Sequence, residues 1–265
     1  MKRAFGINAD CISGVSPVQM LEAIKATGFT HFFTDCYDME TVTALSQKAQ
    51  ELGLVFEFIH GPFKGINAMW HEGDGYLEIY NGMKEAIDSA SANGVPTVIV
   101  HLSSGWDAPA CSDLGWARFD ALMQYAKEKN VTVALENLRV VGNLAYAIDR
   151  YEKMDNVRFC LDFGHQHGYT KTVEWADLFT DRLIATHIHD NHGRGKEKIG
   201  SPDEHLLPFD GSCDYARIMH KLDEYGYSGT LMLELFNSRA PEYEAMTPEE
   251  FLATSYERLK RISEM

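Results

Sequence analysis

The 265-residue chain has no apolar run approaching the roughly 18 to 20 residues that a helix needs to cross a bilayer, which excludes an integral helical membrane protein. Its first ten residues, MKRAFGINAD, carry two cations without the apolar stretch of a secretory leader, so no signal peptide is expected. Cysteine is sparse. The five, at positions 11, 36, 111, 160 and 213, are odd in number and form no close pairs, which suits a reducing compartment and makes the cytoplasm the default location. Positive charge is also short: 24 Lys and Arg against 39 Asp and Glu leave −15. Duplex nucleic acid is held largely by cations that neutralise phosphates, so a nucleic-acid partner is disfavoured. No Walker-type or dinucleotide-type glycine motif follows an apolar run, and no nucleotide cofactor is implied. No Pro/Ser-rich linker or low-complexity tract divides the chain.

What is present is a composition of 45% apolar and 24% charged residues, ordinary for a globular protein with a sizeable core. Short β-rich runs alternate with helical spacing. The runs are Ala4 to Ile7, His31 to Thr34, Leu54 to Ile59, Val95 to Val100, Val131 to Leu135, Val157 to Leu161, Leu183 to Ile188 and Thr230 to Leu233. The first helix opens at Ser16-Pro17 and ends at Gly28. The second starts near Met39, carries Val42, Leu45, Ala49 and Leu52 on one stripe, and closes at Gly53. Helical spacing continues over about 76–93, 113–129, 143–153, 171–180 and 213–225. A last helix begins at the capping box Thr247-Pro248-Glu249-Glu250 and turns Phe251, Leu252, Leu259 and Ile262 inward. Eight strands and eight helices in about 250 residues fit a single (β/α)8 barrel over 1–265, leaving little for a second domain. An open doubly wound sheet would show the same alternation, but it gathers its site at one switch point, whereas a barrel draws it from many strand ends.

The strand ends here are rich in groups that bind metal or move protons. Asp35, His60, His101, Glu136, Asp162, His187, His189 and Glu234 follow successive runs, with His165, Asp203 and His205 close by. Any one of these reads equally as the N-cap or a loop residue of the next βα turn, and Asp35 is left in that class. Jointly they cannot: so many carboxylates and imidazoles at one mouth would repel and be desolvated unless a cation neutralised them. Imidazole and carboxylate donors without paired cysteines suit Mn²⁺, Zn²⁺, Co²⁺ or Mg²⁺. His187 and His189, two apart, share a face, and spacing does not choose between them.

The segments VIVH (98–101), ALEN (134–137), LDFGH (161–165), HIHDNHG (187–193), SPDEHLLP (201–208) and LMLEL (231–235) resemble the sugar phosphate isomerase/epimerase family, the xylose isomerase-like TIM barrels, in order and over essentially the whole chain. The resemblance implies one divalent metal held by Glu136, Asp162, a strand-seven histidine and Glu234. Its H-x-x-D motif points to His187, while some keto-sugar epimerases align the second histidine, His189. The related zinc-dependent apurinic/apyrimidinic endonucleases use nine ligands, which this chain can match as His60, His101, Glu136, Asp162, His165, His187, Asp203, His205 and Glu234, so a multinuclear site is the other option. One departure is Phe209-Asp210-Gly211-Ser212 where the family usually has a Gly-x-Gly turn; loop shape and substrate identity do not carry over.

Glu136 and Glu234 lie on strands three apart in a ring of eight and face each other across the mouth, as the two carboxylates that remove and return a proton beside a carbonyl. A divalent ion would stabilise the enediolate formed. The expected activity is isomerisation or epimerisation of a sugar, sugar phosphate or related keto-polyol. The alternatives are an endonuclease-type phosphodiesterase, a metal-dependent dehydratase and a non-catalytic sugar-binding barrel. His60, His101, His165, His189, Asp203 and His205 are further metal or substrate contacts. Among softer candidates are Arg139, Arg194 and Trp106 for the substrate, then the aromatics Phe63, Trp70, Phe163 and Phe236 and the cations Lys64, Lys196 and Arg239. Pairing into a homo-oligomer through outer helices is an open option.

Overall fold

The computed structural model describes residues 3–194 and 203–265. In chain order the elements are β1 (Phe5–Asn8), α1 (Pro17–Thr27), β2 (His31–Thr34), α2 (Met39–Leu52), β3 (Val55–His60), α3 (Leu77–Ala92), β4 (Thr97–Val100), α4 (Asp113–Glu128), β5 (Thr132–Glu136), α5 (Val141–Arg150), β6 (Val157–Asp162), α6 (Phe163–Tyr169), α7 (Trp175–Phe179), β7 (Leu183–His187), α8 (Tyr215–Glu224), β8 (Leu231–Leu233), α9 (Pro241–Glu244) and α10 (Pro248–Ser263). The strands run parallel in the order β7-β6-β5-β4-β3-β2-β1-β8. The two ends of that series meet. Ile188 N donates to Met232 O at 2.8 Å and Glu234 N donates to Ile188 O at 3.1 Å. Thr186 Oγ1 donates to Thr230 O at 2.9 Å and accepts from Met232 N at 3.2 Å. The sheet is therefore a (β/α)8 barrel, not an open doubly wound one.

The barrel interior explains the composition of the mouth. Side chains alternate along a strand, and one inward residue from each of seven strands, Phe33, Phe58, Ile99, Ala134, Cys160, Ala185 and Met232, forms an apolar floor separate from the main core. Strand β1 contributes Gly6, where a Cβ would stand 2.5 Å from Met232 Sδ; only a glycine leaves that methionine its place. Two residues further along each strand, on the same inward face, stand Asn8, Asp35, His60, His101, Glu136, Asp162, His187 and Glu234. The polar ring is the layer directly above a dry floor.

The helices dock their apolar stripes on the outside of the strands. Val42, Leu45 and Ala49 of α2 and Phe251, Leu252, Leu259 and Ile262 of α10 are buried. The Thr247 capping box is complete: Thr247 Oγ1 accepts from Glu250 N, and Glu250 Oε2 accepts from Thr247 N. Differences from the sequence pattern lie mainly after β6. The segment expected as a helix over 171–180 is helical only over Trp175–Phe179 and continues as a 3-10 turn, Thr180–Arg182. The preceding α6 was not expected. It starts directly from the strand because Asp162 accepts from His165 N at 2.5 Å, and all seven of its residues are buried, so FGHQHGY shows no polar face by which periodicity could reveal a helix. The helix expected over 143–153 is Val141–Arg150, beginning at Val140 without a side-chain cap. Short α9 likewise escaped the periodic reading, so ten α-helices, not eight, are found among the described residues.

Candidate metal centre

His187 lies on the apolar floor, its ring stacked on Phe33 (centroids 5.0 Å apart) and tilted against Phe58 (5.4 Å). That packing turns Nδ1 upward, toward Glu136 Oε1 at 3.3 Å, Glu234 Oε2 at 3.6 Å and Asp162 Oδ2 at 3.9 Å. Glu136, Asp162, His187 and Glu234 each offer a ligand atom, all within 4.8 Å of one another and all on buried residues. Asp162 Oδ2 is buried without a hydrogen-bond partner among the described residues. Three carboxylates and an imidazole converging with an acceptor left unsatisfied are the donor set of a hard or borderline divalent cation, so the residues fit such an ion.

Four further triads overlap or flank this set among the described residues: His60, His101 and Glu136; His60, His187 and Glu234; Asp162, His165 and His189; and His189, Asp203 and His205. His101 Nε2 is 2.8 Å and His60 Nε2 3.5 Å from Glu136 Oε2, and His165 Nδ1 is 3.1 Å from Glu136 Oε1. His189 Nε2 stands 3.3 Å from Asp162 Oδ1. Asp203 Oδ1 lies 3.1 Å from His205 Nε2 and 3.4 Å from His165 Nε2. The geometry thus puts His187 in the four-residue set and His189 in its neighbours. All four members of the central set, Glu136, Asp162, His187 and Glu234, recur in a neighbouring triad.

Burial and mutual attraction set the charges here. Burial alone would raise the carboxyl of Glu136, but His187, His101 and His165 outweigh it and hold it well below the usual range. Asp162 is lowered against burial by His165 and His189, and Asp203 well lowered by His205 and His165. The imidazoles move the other way. Burial would depress His60, yet its hydrogen bond to Glu136 and the charges of Asp35, Glu136 and Glu234 push it up to about 9. His189 reaches about 9 through Asp162, Asp203 and Glu234 in the same way. His101 is the exception, lowered chiefly by burial. Without an ion, protons on imidazoles supply the positive charge this rim requires.

Several positioning residues stand beside those the strand ends suggested. Asn137 clamps β5 to β6: Asn137 Nδ2 donates to Asp162 O at 2.9 Å and Asn137 Oδ1 accepts from Asp162 N at 2.7 Å. Asp190 gathers the 209–213 loop by accepting from Phe209 N (2.8 Å) and Cys213 N (2.9 Å), and a Cβ at Gly211 would lie 2.3 Å from its Oδ1. The Phe-Asp-Gly-Ser departure is therefore a turn wrapped around Asp190. Both residues directly follow or nearly follow a candidate ligand in sequence, the one signal that could have found them. Asp38, not Asp35, caps α2 by accepting from Thr41 N. Asp35 stays in the loop; solvent reaches it, yet the concave mouth withdraws enough water, with Asp10 and Glu234 adding to the effect against His60, to push it up to about 7.

Gly164 permits the close approach of α6 to β7, since a Cβ there would stand 2.0 Å from the His189 ring. Gly164→Ala is expected to displace His189 and lower stability by about 1–3 kcal/mol, as other overpacked sites do. A thermal melt and a metal titration of the variant check this, and an unchanged melt with full metal uptake would refute it.

Above the ring a cleft of ≈ 100 Å³ is lined by His60, His101, Glu136, His165, His205 and Glu234, with Phe63, Ser104, Leu138, Arg139 and Asp203 as walls. Exposed Phe63 packs on the rings of His101 (4.7 Å) and His60 (5.5 Å). The Arg139 guanidinium stacks over Tyr169 at 3.7 Å and donates to its hydroxyl, while Trp106 shares its face with Arg139 (5.2 Å) and Arg194 (4.6 Å) at the lip. Phe236 meets His205 edge-on at 5.4 Å. Trp70 and Phe163 are core residues, not cleft walls. Lys64 lines a separate crevice beside Tyr37, Arg239 is exposed over Phe236, and Lys196 falls outside the described residues.

The profile of the xylose isomerase-like TIM barrel family matches residues 21–262, and the chain belongs to that family. The inosose isomerase of Halalkalibacterium halodurans is 26% identical over 194 residues, covering 68% of this chain and 66% of that protein. The chain spans about half to two thirds of the length of the curated relatives it matches. Among solved structures, the IolI protein with a bound zinc atom superposes with a TM-score of 0.79 at 18% identity, covering 98% of both chains. An L-ribulose 3-epimerase superposes with a TM-score of 0.77 at 17% identity, covering 99% of this chain and 95% of the other. At such identities the likeness is one of fold. No helix among the described residues is long and apolar enough to cross a membrane.

Proposed function

We propose that this chain is a divalent-metal-dependent isomerase or epimerase acting on a sugar, sugar phosphate or related keto-polyol. The observation that carries the reading is that Glu136 and Glu234, from strands three apart in the ring, approach the same nitrogen of His187 at 3.3 and 3.6 Å under an open cleft. Glu136, Asp162, His187 and Glu234 would hold the ion. When bound, it would withdraw charge from a carbonyl and the adjacent hydroxyl and make the hydrogen between them acidic enough for a carboxylate to take.

The protein's own groups divide the remaining work. Epimerisation needs a proton removed from one face of a carbon and returned to the other. Among the described residues Glu234 is approached by His187 and His205 only at 3.6 Å, so it can accept a proton without surrendering a close hydrogen bond to them. Glu136 has four imidazoles within 3.5 Å, and His101, the nearest, also lines the cleft, so a proton arriving at Glu136 has a route onward. His165 at the cleft wall is the donor for a substrate oxygen, and Phe63 and Leu138 limit water around the reacting carbon. The activities named for the inosose isomerase and the L-ribulose 3-epimerase, both on polyhydroxy carbonyl compounds or their isomers, and the zinc of the IolI protein support this reading.

The test is solvent exchange. Protein loaded with manganese, cobalt or zinc is expected to wash deuterium from D₂O into the carbon beside the carbonyl of at least one member of a panel of ketoses and keto-inositols, read by NMR. No incorporation with any of them would overturn the proposal. A zinc-dependent phosphodiesterase is the second reading, favoured by the four triads around the central set and opposed by the charge of −15; cleavage of an abasic oligonucleotide would establish it instead. A dehydratase would release water from the same exchange reaction.

A further inference from the structure

We infer that a second pocket, between α6 and the start of α8, binds a small molecule with an anionic group at one end and a hydroxyl at the other. The pocket is ≈ 240 Å³ and, among the described residues, shares no lining residue with the metal cleft. That is below the usual range for drug-sized ligands and suits a compound of few carbons.

One residue of its wall, Gln166, keeps a buried acceptor with nothing to accept. Gln166 is only 3% exposed, and its Nε2 donates to Glu174 Oε1 at 2.8 Å. A carboxylate only accepts, so the amide orientation is fixed and Gln166 Oε1 is left buried without a partner among the described residues. An unsatisfied buried carbonyl is costly, and a hydroxyl donated by an occupant removes that cost. Ser212 Oγ, 3.0 Å from His167 Nε2, adds a second hydroxyl-scale partner.

The rest of the lining is cationic. Lys171 is exposed and forms no ion pair among the described residues. Arg217 engages Glu174 through Nε at 2.7 Å, which leaves its two terminal nitrogens for another acceptor. The one acid in the lining among the described residues, Asp214, caps α8 by accepting from Arg217 N at 3.1 Å. In a chain of net charge −15, two cations beside a buried hydroxyl acceptor are a specific arrangement rather than a general surface property. The occupant is thus a hydroxylated phosphate or carboxylate. It would rest against both segments that carry the metal-binding face, since Gln166 follows His165 and Ser212 N donates to Asn191 O, two residues past His189.

Calorimetric titration of the metal-loaded protein with glycerol 3-phosphate, glycerate, glycerol and inorganic phosphate tests the assignment. Saturable 1:1 binding of glycerol 3-phosphate or glycerate is expected, the stronger of the two identifying the anionic group. Glycerol and inorganic phosphate should each bind at least about tenfold more weakly, since each lacks one of the two recognised groups. The surface substitutions Lys171→Glu and Arg217→Ala should each raise Kd by about tenfold or more, while Glu234→Gln, in the cleft, should leave it unchanged. Absence of saturable binding, indifference to both surface substitutions, loss on Glu234→Gln, or equal binding of inorganic phosphate would each overturn it.

Discussion

Glutamine in place of Glu234 is expected to slow solvent-proton exchange into the substrate by about 10²- to 10⁴-fold, the range a positioned acid–base group contributes. The carboxylate has no close hydrogen bond to lose among the described residues, so the amide should fit without refolding the site, and its oxygen can still face the ion. Glu136→Gln is different: it removes the charge and one of the two acceptor oxygens that four imidazoles share, and should reduce metal retention as well as exchange. Metal content measured on the same samples distinguishes the two. Exchange that survives Glu234→Gln at near wild-type rate would remove Glu234 from the acid–base role.

Metal removal should change how stability responds to pH. His60 and His189 have folded pKa values of about 9 against roughly 6.5 in the unfolded chain. Their contribution is complete below about pH 6.5 and is lost as pH rises through 9. The depressed carboxylates Glu136, Asp162 and Asp203 act oppositely, stabilising above about pH 4 and losing that contribution in acid. Chelated protein should therefore be most stable between roughly pH 4.5 and 6.5 and weaken toward pH 9 by several kcal/mol, on the order of 10 °C in Tm for a chain of this size. With an ion held by Glu136, Asp162, His187 and Glu234, its charge takes the place of the protons that His60 and His189 carry beside those carboxylates, so the alkaline decline should shrink and metal binding should release protons below pH 9. Melting curves with and without chelator across this range check both halves. A chelated protein as stable at pH 9 as at pH 6 would mean the imidazoles are not protonated.

Much of the architecture was readable because its determinants are local. The stripe of Val42, Leu45 and Ala49 and the Thr247 box each lie within one element, and the βα alternation needs only neighbouring residues. The inward face is nearly as local: period two runs from Ala134 to Glu136, from Cys160 to Asp162 and from Ala185 to His187, so a floor and a polar ring follow once the strands are known. Where a segment is buried on all sides, as FGHQHGY is, the pattern carries no period and the helix was invisible. Gln166 was hidden for the same reason, since only its packing against Glu174 shows which amide atom is left over.

The alternation of eight strands with their main helices and the chemical character of the mouth were determined by the sequence itself, because each depends on residues within a few positions of one another. Which imidazole serves which carboxylate was decided only by the tertiary structure. His101 meets Glu136 across 35 positions and His187 meets it across 51, and such pairings depend on barrel closure and strand register, which no local pattern encodes. The assignment of His187 to the central set rests on the stacking of Phe33 and Phe58 beneath it, a contact among β2, β3 and β7 that exists only once the ring is closed.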